Sequence, residues 1–250
     1  MKKQLRCVTI VRRKLLLYVM SALALVMAVV ACSVTSSALL WSGVSTRKVP
    51  VYRVETEQKK IAISFDAAWG ADKTCDIKAN FFVVGFWAEK YPDKLKELYD
   101  SGRFEIGVHS NTHPHMPKLS REKMKTELTA CADTISKTIG VKPDLFRPPF
   151  GDYSDALLEV AEECGFYTIQ WDVDSLDWKG ISSEEIAARV LKKTQNGSII
   201  LMHNDGKNTV KALPAIIAGL QAKGYEFVTI GELIYRDNFT VRNDGTQIRS

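Results

Sequence analysis

Three of the chain's four histidines fall within seven positions, in the stretch HSNTHPH at residues 109–115. His109 and His113 are four apart. On a helix or in a tight turn that spacing brings both imidazoles to one side, where their neutral nitrogens can share a cation. Such a pair suits zinc first, with cobalt or another late first-row ion as alternatives. Alone it is equally consistent with two solvated histidines. The fourth, His203, ends the apolar run SIILMH and precedes the turn Asn204-Asp205-Gly206. A histidine there is either a satisfied core residue or, where the strand end faces a site, a group that can hold and give a proton near neutral pH.

Asp66 closes the run KIAISFD. A carboxylate at the end of an apolar strand is costly unless it is paired or close to water. Arg147, in FRPPFG, can grip it through two hydrogen bonds and keep it ionised. The plainer alternative for Arg147 is a surface ion pair, but Pro148 and Pro149 fix the backbone directly after it. The stretch WDVDSLDW at residues 171–178 then sets three acids and two tryptophans in eight positions. One of those acids can accept the second ring N–H of His203 and fix its tautomer. Trp178 can offer a flat apolar wall to a sugar ring.

From Lys59 onward, short apolar runs alternate with longer amphipathic ones. The strand-like runs are 60–66, 79–84, 104–108, 144–147, 166–171, 198–202 and 226–229. Helical patterns lie between them. One runs from Ala88 to Asp100, stopped by Gly102. Another starts with Ser120 as N-cap and stops before Gly140. A third runs from Ser154 to Gly165. The fourth opens on the capping box Ser182-Ser183-Glu184-Glu185 and ends at Asn196-Gly197, and the fifth covers 210–223. Strand–helix alternation implies parallel strands joined by crossovers. About seven strands fit an open doubly wound sheet or a small incomplete (β/α) barrel, and in both the ligand chemistry collects at the C-terminal strand ends. Asp66 and Arg147 end strand-like runs and His109, Asp172, Asp174 and His203 follow them, so either fold would gather them.

The net charge of +5 sits in the first residues. Lys2, Lys3, Arg6, Arg12, Arg13 and Lys14 come with no acid, and without those six the chain has 28 basic residues against 29 acidic ones. The excess is no nucleic-acid footprint. Uncharged Leu15–Ala31 follows the basic flank. Its length suits a membrane anchor with the rest of the chain outside the cytoplasm, or a signal peptide. Two cleavage alternatives are a lipoprotein box ending at Cys32 and small residues at Ser36–Ala38. The five cysteines are scattered without CxxC spacing and imply no disulfide framework. The expected organisation is a basic flank and anchor or signal segment over 1–32, a tether over 33–54, a catalytic domain over 55–236 and a tail over 237–250.

Over Lys59–Tyr235 the chain resembles the polysaccharide deacetylases, the NodB-homology group classed as carbohydrate esterase family 4. Five stretches carry the resemblance: Ser64–Gly70 (SFDAAWG), His109–His113, Arg147–Gly151 (RPPFG), Asp174–Trp178 (DSLDW) and Leu201–His203. The form FDAAWG is most similar to the sporulation-linked subgroup of spore-forming bacteria. The resemblance implies a deformed, incomplete barrel of seven parallel strands. It implies a metal-dependent hydrolase that removes N-acetyl groups from a glycan outside the cytoplasm, peptidoglycan first. His109 and His113 would hold the metal, Asp66 would take a proton from water beside Arg147, and His203 would protonate the leaving amine, tuned by Asp177. The backbone N–H of Phe150 would help hold the oxyanion, and Trp178 and Leu201 would contact substrate. The chain departs from the pattern at Ala67, where the family has a second, metal-ligating Asp, which weakens the expected site. It also departs in the short 67–78 connection, which has no room for the usual helix. Those departures motivate an alternative: a catalytically impaired, glycan-binding or envelope protein of the same fold. A zinc peptidase is a weaker reading, because no HExxH is present.

Overall fold

The computed structural model describes residues 47–67 and 77–250. In chain order the strands are β1 (Arg53–Val54), β2 (Lys60–Ala67), β3 (Ala79–Val83), β4 (Phe104–Val108), β5 (Leu145–Phe146), β6 (Tyr167–Thr168), β7 (Val173–Asp174), β8 (Ile199–His203), β9 (Glu226–Phe227), β10 (Phe239–Val241) and β11 (Thr246–Arg249). The helices are α1 (Gly85–Lys90), α2 (Pro92–Asp100), α3 (Arg121–Ile139), α4 (Asp155–Glu163), α5 (Ser183–Lys193), α6 (Thr209–Ala222) and α7 (Ile230–Leu233). Seven strands pair in the order β6-β5-β4-β3-β2-β8-β7, and β9 adds to β2. Every pairing in this sheet is parallel.

Alternation along the strands divides the core in two. Ile61, Ile63 and Phe65 of β2, Phe81 and Val83 of β3, and Ile200 and Met202 of β8 pack into one cluster with the helices. Their neighbours Ala62, Phe82 and Ile199 join Leu145 and Ile169 in a second cluster on the other face. That is the period of a pleated strand buried on both sides.

The sheet curls into an open half-barrel. Its edge strands β6 and β7 are joined by residues 169–172 alone, a link that spans at most roughly 18 Å. The two edges therefore lie close without pairing to each other. The chain before β2 lies along this seam: Val51 bridges Ile169, Arg53 bridges Ser198, and Val54 N–H donates to the Gly197 carbonyl at 2.9 Å. Val51 and Val54 are buried, so the end of the expected tether is part of the core. Within the expected tail, β10 and β11 form a small sheet with β1.

Several helices begin and end where the sequence signals. The Ser120 and Ser154 side chains cap α3 and α4, Ser182 and Glu185 form a capping box on α5, and Gly140 ends α3 at φ 78°. The expected helix over 88–100 is instead two helices, α1 and α2, because Pro92 has no N–H to continue the first and starts the second. The expected strand over 166–171 is only Tyr167–Thr168, and β7 arises inside the stretch that looked like a loop.

The fold class needs one correction. Among the described residues no helix is long and apolar enough to cross a membrane. The anchor expected over 15–31 lies outside the described residues. The architecture of the described residues is therefore the half-barrel, with no membrane-spanning helix among them, and they lend the expected membrane partner and cell-membrane localisation no support. Most of the short 67–78 connection also lies outside the described residues.

Candidate active site

Asp66 and His203 face each other in register on the neighbouring strands β2 and β8. His109 follows β4, its N–H bonded to the Val83 carbonyl, and Arg147 follows β5, its N–H bonded to the Val108 carbonyl. These C-terminal strand ends surround a cavity of about 680 Å³. Asp66, His109, His113, Phe150, Trp178, Leu201 and His203 line it. Arg147 and Asp177 do not, because both are buried behind it.

Arg147 donates from Nη1 to Oδ1 of Asp66 at 2.8 Å and from Nη2 to the Gln170 carbonyl at 3.1 Å. Its guanidinium lies 4.1 Å from the centre of the Phe82 ring, a cation over an aromatic face. Burial pushes the pKa of Asp66 up, but the charge of Arg147 and the hydrogen bond it donates lead the opposing causes, and the pKa is held below the ordinary value. Asp66 is therefore an ionised carboxylate with Oδ2 turned to His109, 3.7 Å from its Nε2.

The histidine loop is a turn, not a helix. Ser110 and His113 take left-handed φ values of 64° and 60°, and the His113 N–H donates to Oγ of Ser110 at 2.9 Å. This sets the two imidazole centres 5.0 Å apart. His109 Nδ1 lies 2.8 Å from the Arg147 carbonyl. A carbonyl only accepts, so Nδ1 carries the hydrogen and Nε2 presents a lone pair to the cavity. Burial pushes the pKa of both imidazoles down despite the nearby Asp66 charge, so both favour the neutral form.

His203 is tied to Asp177 twice. Its Nδ1 lies 2.7 Å from Oδ1, and its backbone N–H donates to Oδ2 at 2.7 Å. Burial works against a charged ring. The hydrogen bond to Asp177 and the charges of Asp66, Asp177 and Asp174 prevail, and the His203 pKa stands above its ordinary value. The same bonds, together with one from Thr209, hold Asp177 below its ordinary value although burial opposes them. At the cavity mouth Phe150 and Trp178 are 57% and 58% exposed, apolar rings left where a ligand could cover them. Phe150 has φ 61° between Pro149 and Gly151, a left-handed conformation uncommon for an aromatic residue.

The lone pair of His109 and the Oδ2 of Asp66 are two acceptors facing one point, which suits a donor molecule or a cation between them. A resident metal needs more. Among the described residues no group of three or more His, Cys, Asp or Glu side chains is arranged to hold one. Among the described residues the expected zinc or cobalt ligands come to His109 and His113, as the sequence pattern has them, and Ala67 has no ligating atom.

Some placements were not legible beforehand. Asp172 does not join the site. It lies on the entry side of β7, where it accepts from the Ser198 hydroxyl at 2.8 Å and from the Ile199 N–H at 2.9 Å. Glu127 of α3, missed in the sequence, accepts from the N–H groups of Asn111 and Thr112, both at 2.8 Å, and from the Thr112 hydroxyl at 2.7 Å. It clamps the histidine loop from a helix position that resembled a solvated acid. Phe86 also lines the cavity.

Known proteins resemble the chain in sequence and in fold. A family model described as polysaccharide deacetylase matches residues 53–169. The chain is 34% identical over 199 residues to a peptidoglycan-N-acetylglucosamine deacetylase of Bacillus cereus, an alignment that covers 73% of this chain and 92% of that protein. It is 33% identical over 199 residues to the uncharacterized protein YlxY of Bacillus subtilis, covering 76% of this chain but only 62% of YlxY. Among solved structures, BA3943 of Bacillus anthracis, a family 4 carbohydrate esterase pseudoenzyme, superposes with a TM-score of 0.69 at 31% identity, over 74% of this chain and 68% of that one. The half-barrel, the residues at its strand ends and these relatives agree, and the chain belongs to the polysaccharide deacetylases of the NodB-homology group, carbohydrate esterase family 4.

Proposed function

We propose that the chain hydrolyses N-acetyl groups of a cell-wall glycan, peptidoglycan first. The observation that carries this reading is the pairing in register of Asp66 and His203, one held ionised and the other held ready to protonate, across a single cavity. Hydrolysis of an acetamide needs a base for the attacking water and an acid for the leaving amine. Asp66 takes the proton from a water held between its Oδ2 and Nε2 of His109. His203 gives a proton to the departing nitrogen, its ring aimed by Asp177. The Phe150 N–H bonds the developing oxyanion. Trp178, Phe150 and Leu201 seat the sugar. Each acid–base group contributes on the order of 10²–10⁴ in rate.

The test is acetate release from N-acetylglucosamine oligomers and defined peptidoglycan fragments, with and without added divalent ions. Asp66→Asn and His203→Ala should each abolish release. With His203 as the acid, the rate falls as pH rises through its pKa, so the alkaline limb should lie above the ordinary histidine value of 6.5. No acetate from any cell-wall glycan under any of these conditions would refute the reading.

A second reading is favoured by Ala67 and by the likeness to a pseudoenzyme. In it the chain keeps the cleft as a glycan-binding surface and has lost turnover. Retention on peptidoglycan without acetate release would select it.

A further inference from the structure

Asp177 holds His203, and Asp177 is itself held by a residue outside the five matching stretches. Thr209 is the first residue of α6 and only 1% exposed. Its hydroxyl lies 2.7 Å from Oδ2 of Asp177. An ionised carboxylate has no hydrogen to give, so the hydroxyl donates. Oδ2 thus takes bonds from Thr209 and from the His203 backbone, which leaves Oδ1 to the His203 ring. Gly206 makes this possible. A Cβ at that position would lie 2.1 Å from the Thr209 hydroxyl oxygen and 3.2 Å from Oδ2 of Asp177. Only glycine lets the turn from His203 to α6 bring the hydroxyl onto the carboxylate.

We propose that Thr209 is a positioning residue: by fixing the plane of the Asp177 carboxylate, it holds the His203 ring with its hydrogen on Nδ1 and leaves Nε2 turned to the cavity. The kinetic consequence rests on the reading of His203 as the proton donor, but the ring's tautomer does not. The charged groups around His203 are Asp66 on β2, Asp174 on β7, Asp177 beneath it and Asp205 in the following turn. Asp66 and Asp174 act on the ring through charge alone, which alters how readily it protonates. Asp177 bonds one particular nitrogen, and so selects which of them carries the hydrogen.

The experiment is nitrogen NMR of the full chain with labelled histidine, at a pH where His203 is neutral. The wild type and Thr209→Ser should show His203 with hydrogen on Nδ1 only. Thr209→Val should show a mixture of the two tautomers, and Gly206→Ala, which displaces the hydroxyl by crowding, should do the same. Gly206→Ala also decides the matter if Thr209→Val does not fold. A wild-type pattern in whichever of these two variants folds overturns the proposal. If the wild type releases acetate, Thr209→Val should lose about tenfold in kcat, with KM unchanged, as expected for one hydrogen bond to a charged acceptor. Thr209→Ser should restore it. If the wild type releases none, the deacetylase reading fails while the NMR still judges Thr209.

Discussion

Arg147 has no exposed surface and sets its Nη1 2.8 Å from Oδ1 of Asp66, so the carboxylate at the end of β2 stands directly on a buried cation. Neither charge is tolerable there alone. Truncating Arg147 leaves a carboxylate without compensation, a loss of about 3–5 kcal/mol.

Arg147→Met should therefore be less stable in urea at pH 7 by about that amount. The pH dependence has a definite sign. The folded-state pKa of Asp66 is depressed. Its contribution is complete above the unfolded carboxylate value, about 4, and is lost as pH falls through the lower folded value. The gap between Arg147→Met and the wild type should narrow on acidification, because the stranded carboxyl of the variant is protonated first. An equal gap at pH 7 and at pH 4 would contradict the pairing.

Glu127 concentrates three hydrogen bonds on the turn that carries His109 and His113. Glu127→Ala should raise hydrogen exchange at the Asn111 and Thr112 amides by about tenfold or more, the value of a bond to a charged acceptor. The amides of β4 should keep their protection. Unchanged exchange at 111 and 112 would show that the turn is held by other contacts.

Ala67 follows Asp66 where the family pattern has a carboxylate. Ala67→Asp should tighten binding of a zinc or cobalt ion by more than tenfold in calorimetric titration, since even an outer partner of a ligand is worth that much. His109→Ala in the same background should remove the gain. No gain in Ala67→Asp would mean that the two imidazoles and position 67 do not address one point.

The strand ends were legible because apolar runs of period two stop at a polar residue, as at Asp66 and His203, and a parallel sheet sends all such ends to one side. The caps at Ser120, Ser154 and Ser182 were legible because a cap depends on residues three positions apart. Asp172 was misplaced because the run 166–171 looks like one strand, whereas the chain passes there from one sheet edge to the other. Glu127 and Thr209 were invisible, because their partners lie 15 and 32 residues away and each looks like an ordinary polar residue on a helix.

Local order in the amino acids, then, was enough to establish which groups are available for chemistry and at which strand ends they stand. The curl of the sheet settled the rest: that the expected contacts of Arg147 with Asp66 and of Asp177 with His203 are made behind the cavity, and that neither Arg147 nor Asp177 shares its surface. Capping and alternation act between near neighbours and leave a mark in the text of the chain. Burial, charge pairing and the choice of tautomer arise between segments that only folding brings within about 3 Å of each other.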